Sequence, residues 1–313
     1  MPDSPFNNKR YRTLDSYLKE KYGEKVFKVS LNAGFTCPNI DGSKGTGGCT
    51  YCSSSGSGDF AGNPEESLEH QFDDICEKMH KKWKSAKLYI PYFQAHTNTY
   101  APVCKLKRCF EPFLNKKGVV GIDIATRSDA LPPDVLDYLE DLNSRTDLIV
   151  ELGLQSVSDE TGVRINRCMS YDEFLTGYYN LKKRNIKVCV HLINGLPGET
   201  KEMMIENARE VAKLSPDFLK IHLLHILKNT KIAKEYENNE FKTLTQEEYT
   251  DIVIRQLELM PPDTVIQRLT GDGSRSDLIA PLWSLKKFEV LNGIDRMFEK
   301  RDTYQGKLYK TGD

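Results

Sequence analysis

Residues 33–52 read AGFTCPNIDGSKGTGGCTYC, and what this stretch is built to hold decides how the rest of the chain is read. An apolar run, FKVSLNAGF from Phe27 to Phe35, leads into it with the pattern of a β-strand and its exit. Three cysteines, Cys37, Cys49 and Cys52, follow in a C-x11-C-x2-C spacing. A C-x2-C step lets two thiolates reach one centre, and a third thiolate closes the loop around it. An iron–sulfur cubane held by three thiolates would keep one iron without a protein ligand, open to substrate or cofactor. Gly42, Gly45, Gly47 and Gly48 tolerate left-handed backbone and leave room beside such a centre, and Tyr51 is placed to cover it. The spacing alone also fits a zinc loop completed by a histidine, or thiols that bind no metal.

On either side of this loop the chain alternates apolar runs with amphipathic ones. Residues 11–22 and 65–83 read as helices, the second from the spacing of Leu68, Phe72, Ile75, Cys76 and Met79. Strands are expected at 24–32, 87–93, 118–125, 147–155, 187–194 and 217–223, with helices near 105–114, 133–142, 171–184 and 201–214. Strand alternating with helix implies a parallel sheet with helices outside, here about six units of a partial (β/α) barrel. The remainder carries a helical stretch from Gln246, a strand-like stretch from Thr264 and a further helix from Ser284. The expected division is a core barrel with an N-terminal helix over 1–240 and a C-terminal α/β extension, capping it, over 241–313. In such a barrel polar residues at the C-terminal strand ends carry the chemistry.

The cysteine loop after a first strand, with an aromatic residue before the last cysteine, resembles the radical S-adenosylmethionine (SAM) superfamily, with its usual C-x3-C-x2-C lengthened. It is similar to the branch holding the Elongator catalytic subunit and to short bacterial relatives associated with wobble-uridine modification of tRNA. The resemblance to the short relatives runs over nearly the whole chain. No counterpart of Elongator's acetyltransferase domain is expected, so its acetyl-CoA chemistry is not implied. The resemblance implies a partial (β/α)6 TIM-type barrel of the radical SAM type, with Cys37, Cys49 and Cys52 holding a [4Fe-4S] cluster. The reduced cluster would cleave SAM to methionine and a 5′-deoxyadenosyl radical that takes hydrogen from a substrate carbon.

The same resemblance distributes the other roles. The turn after the second strand stands where the superfamily has a Gly-Gly-Glu-like segment holding the SAM amino group; the glycines are absent, and Gln94, Ala95, His96, Thr97 and Asn98 are the candidates, Thr97 and Asn98 foremost. The third strand ends at Thr126 and Arg127, which reaches the rim. In ELGLQS, Glu151, Gln155 and Ser156 match the Elongator-like and coproporphyrinogen-oxidase-like branches, and Arg167 matches an arginine expected to meet the SAM carboxylate. GLPG at 195–198, flanked by His191 and Asn194, is expected against adenosine. Lys220 and His222 on the sixth strand, with Arg268 from the extension, are expected to face substrate.

At 39% hydrophobic and 28% charged residues, with a net charge of −1, the chain has the composition of an ordinary globular protein with no apolar run of membrane length. Its first residues lack the apolar core of a signal peptide, so the eight cysteines are expected to be reduced in the cytoplasm. Basic residues clump at 9–12, 78–87, 105–108 and 182–184, and they would bear on RNA only if they converged on the site mouth. The expected activity is modification of tRNA at the wobble-uridine 5-carboxymethylaminomethyl side chain, with an electron donor such as flavodoxin or ferredoxin and no membrane partner. A radical SAM reaction on a small molecule resembling a porphyrin precursor, and a non-catalytic zinc and RNA-binding module, are the competing readings.

Overall fold

The computed structural model describes residues 6, 9–56, 58, 60–271 and 273–310. In chain order it contains α1 (Leu14–Tyr22), β1 (Val26–Leu31), α2 (Leu68–Lys82), β2 (Leu88–Phe93), α3 (Val103–Phe110), β3 (Ile122–Thr126), α4 (Pro133–Arg145) and β4 (Leu148–Gln155). Next come α5 (Asp159–Arg164), α6 (Tyr171–Lys182), β5 (Lys187–Asn194), α7 (Lys201–Lys213), β6 (Phe218–Leu223) and β7 (Ile226–Leu227). Finally there are α8 (Lys231–Glu237), α9 (Gln246–Leu259), β8 (Val265–Arg268), β9 (Leu278–Ala280) and α10 (Lys287–Lys300). Side-chain caps set many of the helix starts. Ser170 and Thr245 form capping boxes with Glu173 and Glu248, satisfying amides that have no partner within the helix.

Seven strands make one sheet in the order β1-β2-β3-β4-β5-β6-β8, with every neighbouring pair parallel. The expected α/β partial barrel is therefore present, with a seventh strand that the beat of strand and helix does not reveal. Residues 224–264, which hold β7, α8 and α9, separate β8 from its partner β6, so β8 is not one βα step away. β7 and β9 form a small antiparallel pair beside the main sheet.

The register puts one set of side chains outside and the other inside. Val29, Leu31, Phe93, Ile124, Val150, Leu152, Val190, Leu219 and Ile221 point outward into the main core beneath the helices. The inward set holds Lys28, Tyr92, Asp123, Glu151, His191 and Lys220. α1 closes the strand-start end: Leu14 and Tyr17 pack on Ile149, Cys189, Phe218 and Val265, and Leu18 packs on Val26 and Ile90. The lumen is thus plugged with apolar groups at one end and polar toward the other.

Among the described residues no helix is long and apolar enough to cross a membrane. Of the four basic runs, 78–87 ends α2 just before β2, and in 182–184 Lys182 bonds Asp217 at the start of β6. Arg12 lies beside Asp263, just before β8. These three runs sit at the end of the barrel opposite the cysteine loop and do not converge on it. For 78–87 and 182–184 parallel βα connectivity is the reason, because a helix C-terminus leads to a strand start; Arg12 is there because its carbonyl takes the Ile266 amide of β8. Only 105–108 lies on the other side, where Lys105 reaches the Gly34 carbonyl at 3.3 Å.

Candidate active site

The cysteine loop lies at the C-terminal ends of the strands. Thr50 is held from both sides, its amide by the Ile165 carbonyl and its carbonyl by the Ile232 amide, so the loop is wedged between the end of α5 and the start of α8. Gly42, Gly47 and Gly48 are left-handed. Gly45 is not, and it serves through size: a Cβ there would meet Asn39 Oδ1 at 2.4 Å and Cys168 Sγ at 2.7 Å. Tyr51 packs with Ile165, Leu196 and Leu224 and hydrogen-bonds Cys49.

Cys37, Cys49 and Cys52 are all half-buried. The hydrogen bond from Cys52, aided by the nearby Arg127 guanidinium, pulls the Cys49 thiol down to about 6 against the effect of burial. Asn39 Nδ2 lies 3.6 Å from Cys49 Sγ. Arg127 stands beside both Cys37 and Cys49. Its guanidinium grips Asp129 through two bonds of 2.8 Å and donates to the carbonyls of Arg167 at 2.8 Å and Cys168 at 3.2 Å. A ready thiolate among three cysteines, with a fixed cation beside them, has the chemistry a metal–sulfur centre requires. These three residues could hold a cluster and leave one metal position open.

Beneath the loop, the lumen floor is an ionic network centred on Glu151. Its Oε2 accepts from Tyr92 at 2.7 Å, lies 2.8 Å from His191 Nε2 and pairs with Lys220; its Oε1 takes Lys28 at 2.8 Å. Lys28 also pairs with Asp123 and bonds Gln267 at 2.5 Å, and Lys220 bonds the Tyr92 hydroxyl at 3.0 Å. Burial opposes ionisation of Glu151, but Lys220 and Lys28 outweigh it and hold the carboxyl well below its usual range. Burial, then the charge of Glu151, pushes Asp123 up to about 7. Burial, then the nearby cations, lowers His191, and burial, then His191, lowers His222 further, so both rings are neutral. The rings stand 5.3 Å apart. Glu151, Cys189 and His191 offer atoms close enough to share a metal ion, but both Glu151 oxygens already face ammonium groups and burial holds the Cys189 thiol protonated.

The structure gathers His191, His222, Gln155, Arg268, Glu151 and Lys220 around this lumen. His191, His222, Gln155 and Arg268 are partly exposed, whereas Glu151 and Lys220 lie in the floor. The charge of Arg268 is felt by His222 and Tyr92. Gln155 is left-handed, and a Cβ on Gly153 would lie 2.5 Å from its Nε2, so its amide folds back over the residue facing His191.

Other expected contacts turn out to be engaged elsewhere. Arg167 is 1% exposed, and its guanidinium donates to the carbonyls of Met169, Leu154 and Ser156 and pairs with Asp159 at 3.0 Å. It clamps the exit of β4, with no face open to a SAM carboxylate. Asn98 is fully buried and donates to the carbonyls of Phe93, Ala95 and Ala125, tying β2 to β3. Thr97 is buried, with its amide on the Thr36 carbonyl. Asn194 exchanges amide bonds of 2.8 and 2.9 Å with Gln256 of α9 and packs away from the lumen. Ser156 bonds Glu199, so the ELGLQS and GLPGET segments are fastened to each other. Reading the sequence missed Lys28, Tyr92 and Asp123; the signal was a polar residue at alternate positions of VFKVSL, LYIPYF and IDIAT.

The fold and site define an α/β barrel enzyme whose reactive centre is held by a thiolate loop above a polar lumen. The chain belongs to the radical SAM superfamily: residues 41–211 match that superfamily, and residues 216–300 match the Radical_SAM C-terminal domain. It is 51% identical over 308 residues, 98% of this chain and 95% of the relative, to the uncharacterized protein YtqA of Bacillus subtilis. It is 26% identical over 160 residues, 50% of this chain and 29% of the relative, to the tRNA uridine(34) acetyltransferase of Methanocaldococcus infernus. The Elp3 structure from the same archaeon overlays with a TM-score of 0.67 at 18% identity, covering 90% of this chain and 64% of that one, and so shares the fold. The superfamily uses a [4Fe-4S] cluster and SAM.

Proposed function

We propose that this radical SAM enzyme acts on tRNA, modifying the 5-carboxymethylaminomethyl side chain of a wobble uridine after hydrogen abstraction from one of its carbons. One observation carries the catalytic part: a loop of three clustered thiols opens over a polar lumen at the C-terminal strand ends. The RNA part is supported by the likeness of half the chain to a tRNA uridine(34) acetyltransferase. When bound at Cys37, Cys49 and Cys52, the cluster supplies the electron that splits SAM into methionine and a hydrogen-abstracting 5′-deoxyadenosyl radical.

The chain's own residues prepare the space. Asn39 donates to the Asn166 carbonyl at 2.5 Å and Asn166 to the Thr46 and Gly48 carbonyls, tying the thiol loop to the 166–168 turn that Arg127 holds from the other side. The floor network fixes Tyr92 and Lys220 through Glu151, presenting an oriented polar surface that needs little rearrangement when substrate arrives. Neutral His191 and His222, with the Gln155 amide, offer hydrogen bonds to a uracil edge or its side chain, and Arg268 brings a cation to the same region. A base held here must leave its stack, which is inexpensive in an anticodon loop. An oxygen-sensitive cluster is suited to the reducing cytoplasm, where a low-potential donor such as flavodoxin or ferredoxin would serve it.

The test is nucleoside mass spectrometry after anaerobic incubation of the reconstituted protein with SAM, reductant and hypomodified tRNA. Loss of the carboxymethylaminomethyl nucleoside with formation of 5′-deoxyadenosine is expected. Formation of 5′-deoxyadenosine with unchanged tRNA, while a small metabolite is consumed, overturns the RNA assignment.

A further inference from the structure

At the seam of the barrel, where β1 approaches β8, a cleft of about 560 Å³ opens beside the cysteine loop. Its walls include Asn32 and Phe35 from the exit of β1, Asn63, His96 from the exit of β2, and Ser274 and Asp277 from the turn after β8. None of the three loop cysteines lines it. The cleft is built into the fold. Gln71, 1% exposed, accepts from the Asn32 amide at 2.9 Å and donates to the carbonyls of Asn32 at 3.0 Å and Asn63 at 2.8 Å, locking that wall. His96 has a left-handed backbone with φ of 59° and donates its amide to the Gly56 carbonyl at 2.9 Å. A Cβ on Gly56 would lie 2.2 Å from His96 Nδ1, so the ring rests on bare backbone. A non-glycine residue held in this conformation beside a cavity is strain of the kind that accumulates at binding sites.

The chemistry of the lining selects the ligand. Among the described residues no lysine or arginine lines the cleft; the ammonium groups near it stay at its edge, Lys105 on the Gly34 carbonyl at 3.3 Å and over the Phe35 ring, and Lys228 close enough to act on Asp277. An aspartate, asparagines and a serine instead suit ribose hydroxyls and a neutral base edge, and a half-buried imidazole suits stacking. We propose that this cleft seats the ribose and base of an RNA nucleotide neighbouring the one that enters the lumen. This rests on the tRNA reading above and locates a second point of grip on the same substrate. With ammonium groups only at its edge, the cleft would draw its affinity for RNA chiefly from base and sugar contacts.

The experiment measures KM for an anticodon stem–loop RNA, and for SAM, with the reconstituted wild-type protein, His96→Asn and Asp277→Asn. Asparagine is tolerated in left-handed backbone, so His96→Asn removes the ring with little change in the fold. Each variant is expected to raise the RNA KM about tenfold, on the scale of one lost base or sugar contact. Iron content and the KM for SAM should stay at wild-type values. A stem–loop with 2′-deoxy sugars throughout the loop should bind wild-type more weakly, with that penalty reduced in Asp277→Asn. Both variants turning over RNA with an unchanged KM overturns the inference, as does a shift confined to the SAM KM. A wild-type protein that neither binds nor modifies the stem–loop overturns the tRNA reading itself, and the inference with it.

Discussion

Tyr92 on β2 donates its hydroxyl to Glu151 on β4 at 2.7 Å, reaching across the intervening strand. That contact, with Lys28, His191 and Lys220 on the same carboxylate, gathers side chains from four strands onto one group. Removing a partner from a buried ion pair costs about 3–5 kcal/mol, because the charge left behind has no compensation. Glu151→Gln is expected to lose stability on that scale in urea denaturation. Glu151→Gln combined with Lys220→Met should lose less than the sum of the two single changes. Strict additivity would show that the pair is not coupled.

The two carboxyls of the floor give pH dependences of opposite sign. Glu151 is held below its unfolded value, so it adds stability above the ordinary carboxyl range, and that stability is lost as pH falls through and below about 4.3. Asp123 is pushed up to about 7. Between its unfolded value near 3.9 and about 7 the folded state holds a proton that the unfolded chain has released, so stability falls as pH rises across that window. Asp123→Asn should flatten the fall between about pH 4 and 7 in denaturation midpoints. An unchanged slope would assign it to another group.

For the cluster, single alanine substitutions at Cys37, Cys49 and Cys52 are each expected to abolish the four-iron complement after anaerobic reconstitution. Alanine at buried Cys76 or Cys109 should leave it intact. The readout is iron and sulfide per chain with the visible absorption of the cluster. Full iron in the triple variant, or zinc alone in the native protein, would contradict the assignment.

Arg167 sorts by a different measurement. Its guanidinium makes four hydrogen bonds, to three carbonyls and one carboxylate at the exit of β4, so Arg167→Ala should unfold at lower denaturant, by about 3–5 kcal/mol. Arg167→Lys should rescue little, since an ammonium cannot span that fork. In the fraction that remains folded with its cluster, calorimetry should find SAM affinity near wild type. A large loss of SAM affinity at unchanged stability would return Arg167 to the cofactor.

Much of this was legible in the sequence. The helices and strands announce themselves by period, and Glu151, His191 and Lys220 lie within motifs. Lys28 and Asp123 escaped because one charged residue at an alternate position of a strand reads as a solvent face. Only the register, which stacks six such positions around one lumen, makes them interior. Arg167 was legible as a motif residue but not in direction: Asn166 and Cys168 on either side are left-handed, with φ of 53° and 51°, and that turn sends the guanidinium back under β4. The clumped basic runs do not meet the convergence they needed to bear on RNA: 78–87 and 182–184 end helices and so lie at the strand-start end, as does 9–12 ahead of α1.

Gly153 offers a test of how finely the upper lumen is set. It lies opposite His191 in the register of β4 and β5, and a Cβ there would sit 2.5 Å from Gln155 Nε2. Its neighbour is the end of a flexible side chain rather than backbone, so Gly153→Ala should cost little stability. It should instead drive the Gln155 amide out of its place. If that amide orients substrate or SAM, a displacement of about 1 Å can lower turnover by as much as ~100-fold. Gln155→Ala should then lose a similar factor, and the double variant should be no worse than either single one, since both remove the same interaction. The measurement is the rate of 5′-deoxyadenosine formation with substrate present, taken alongside denaturation midpoints. Wild-type turnover in Gly153→Ala, with a folded and cluster-loaded protein, would take Gln155 out of the site and leave His191, His222 and Arg268 as its polar lining.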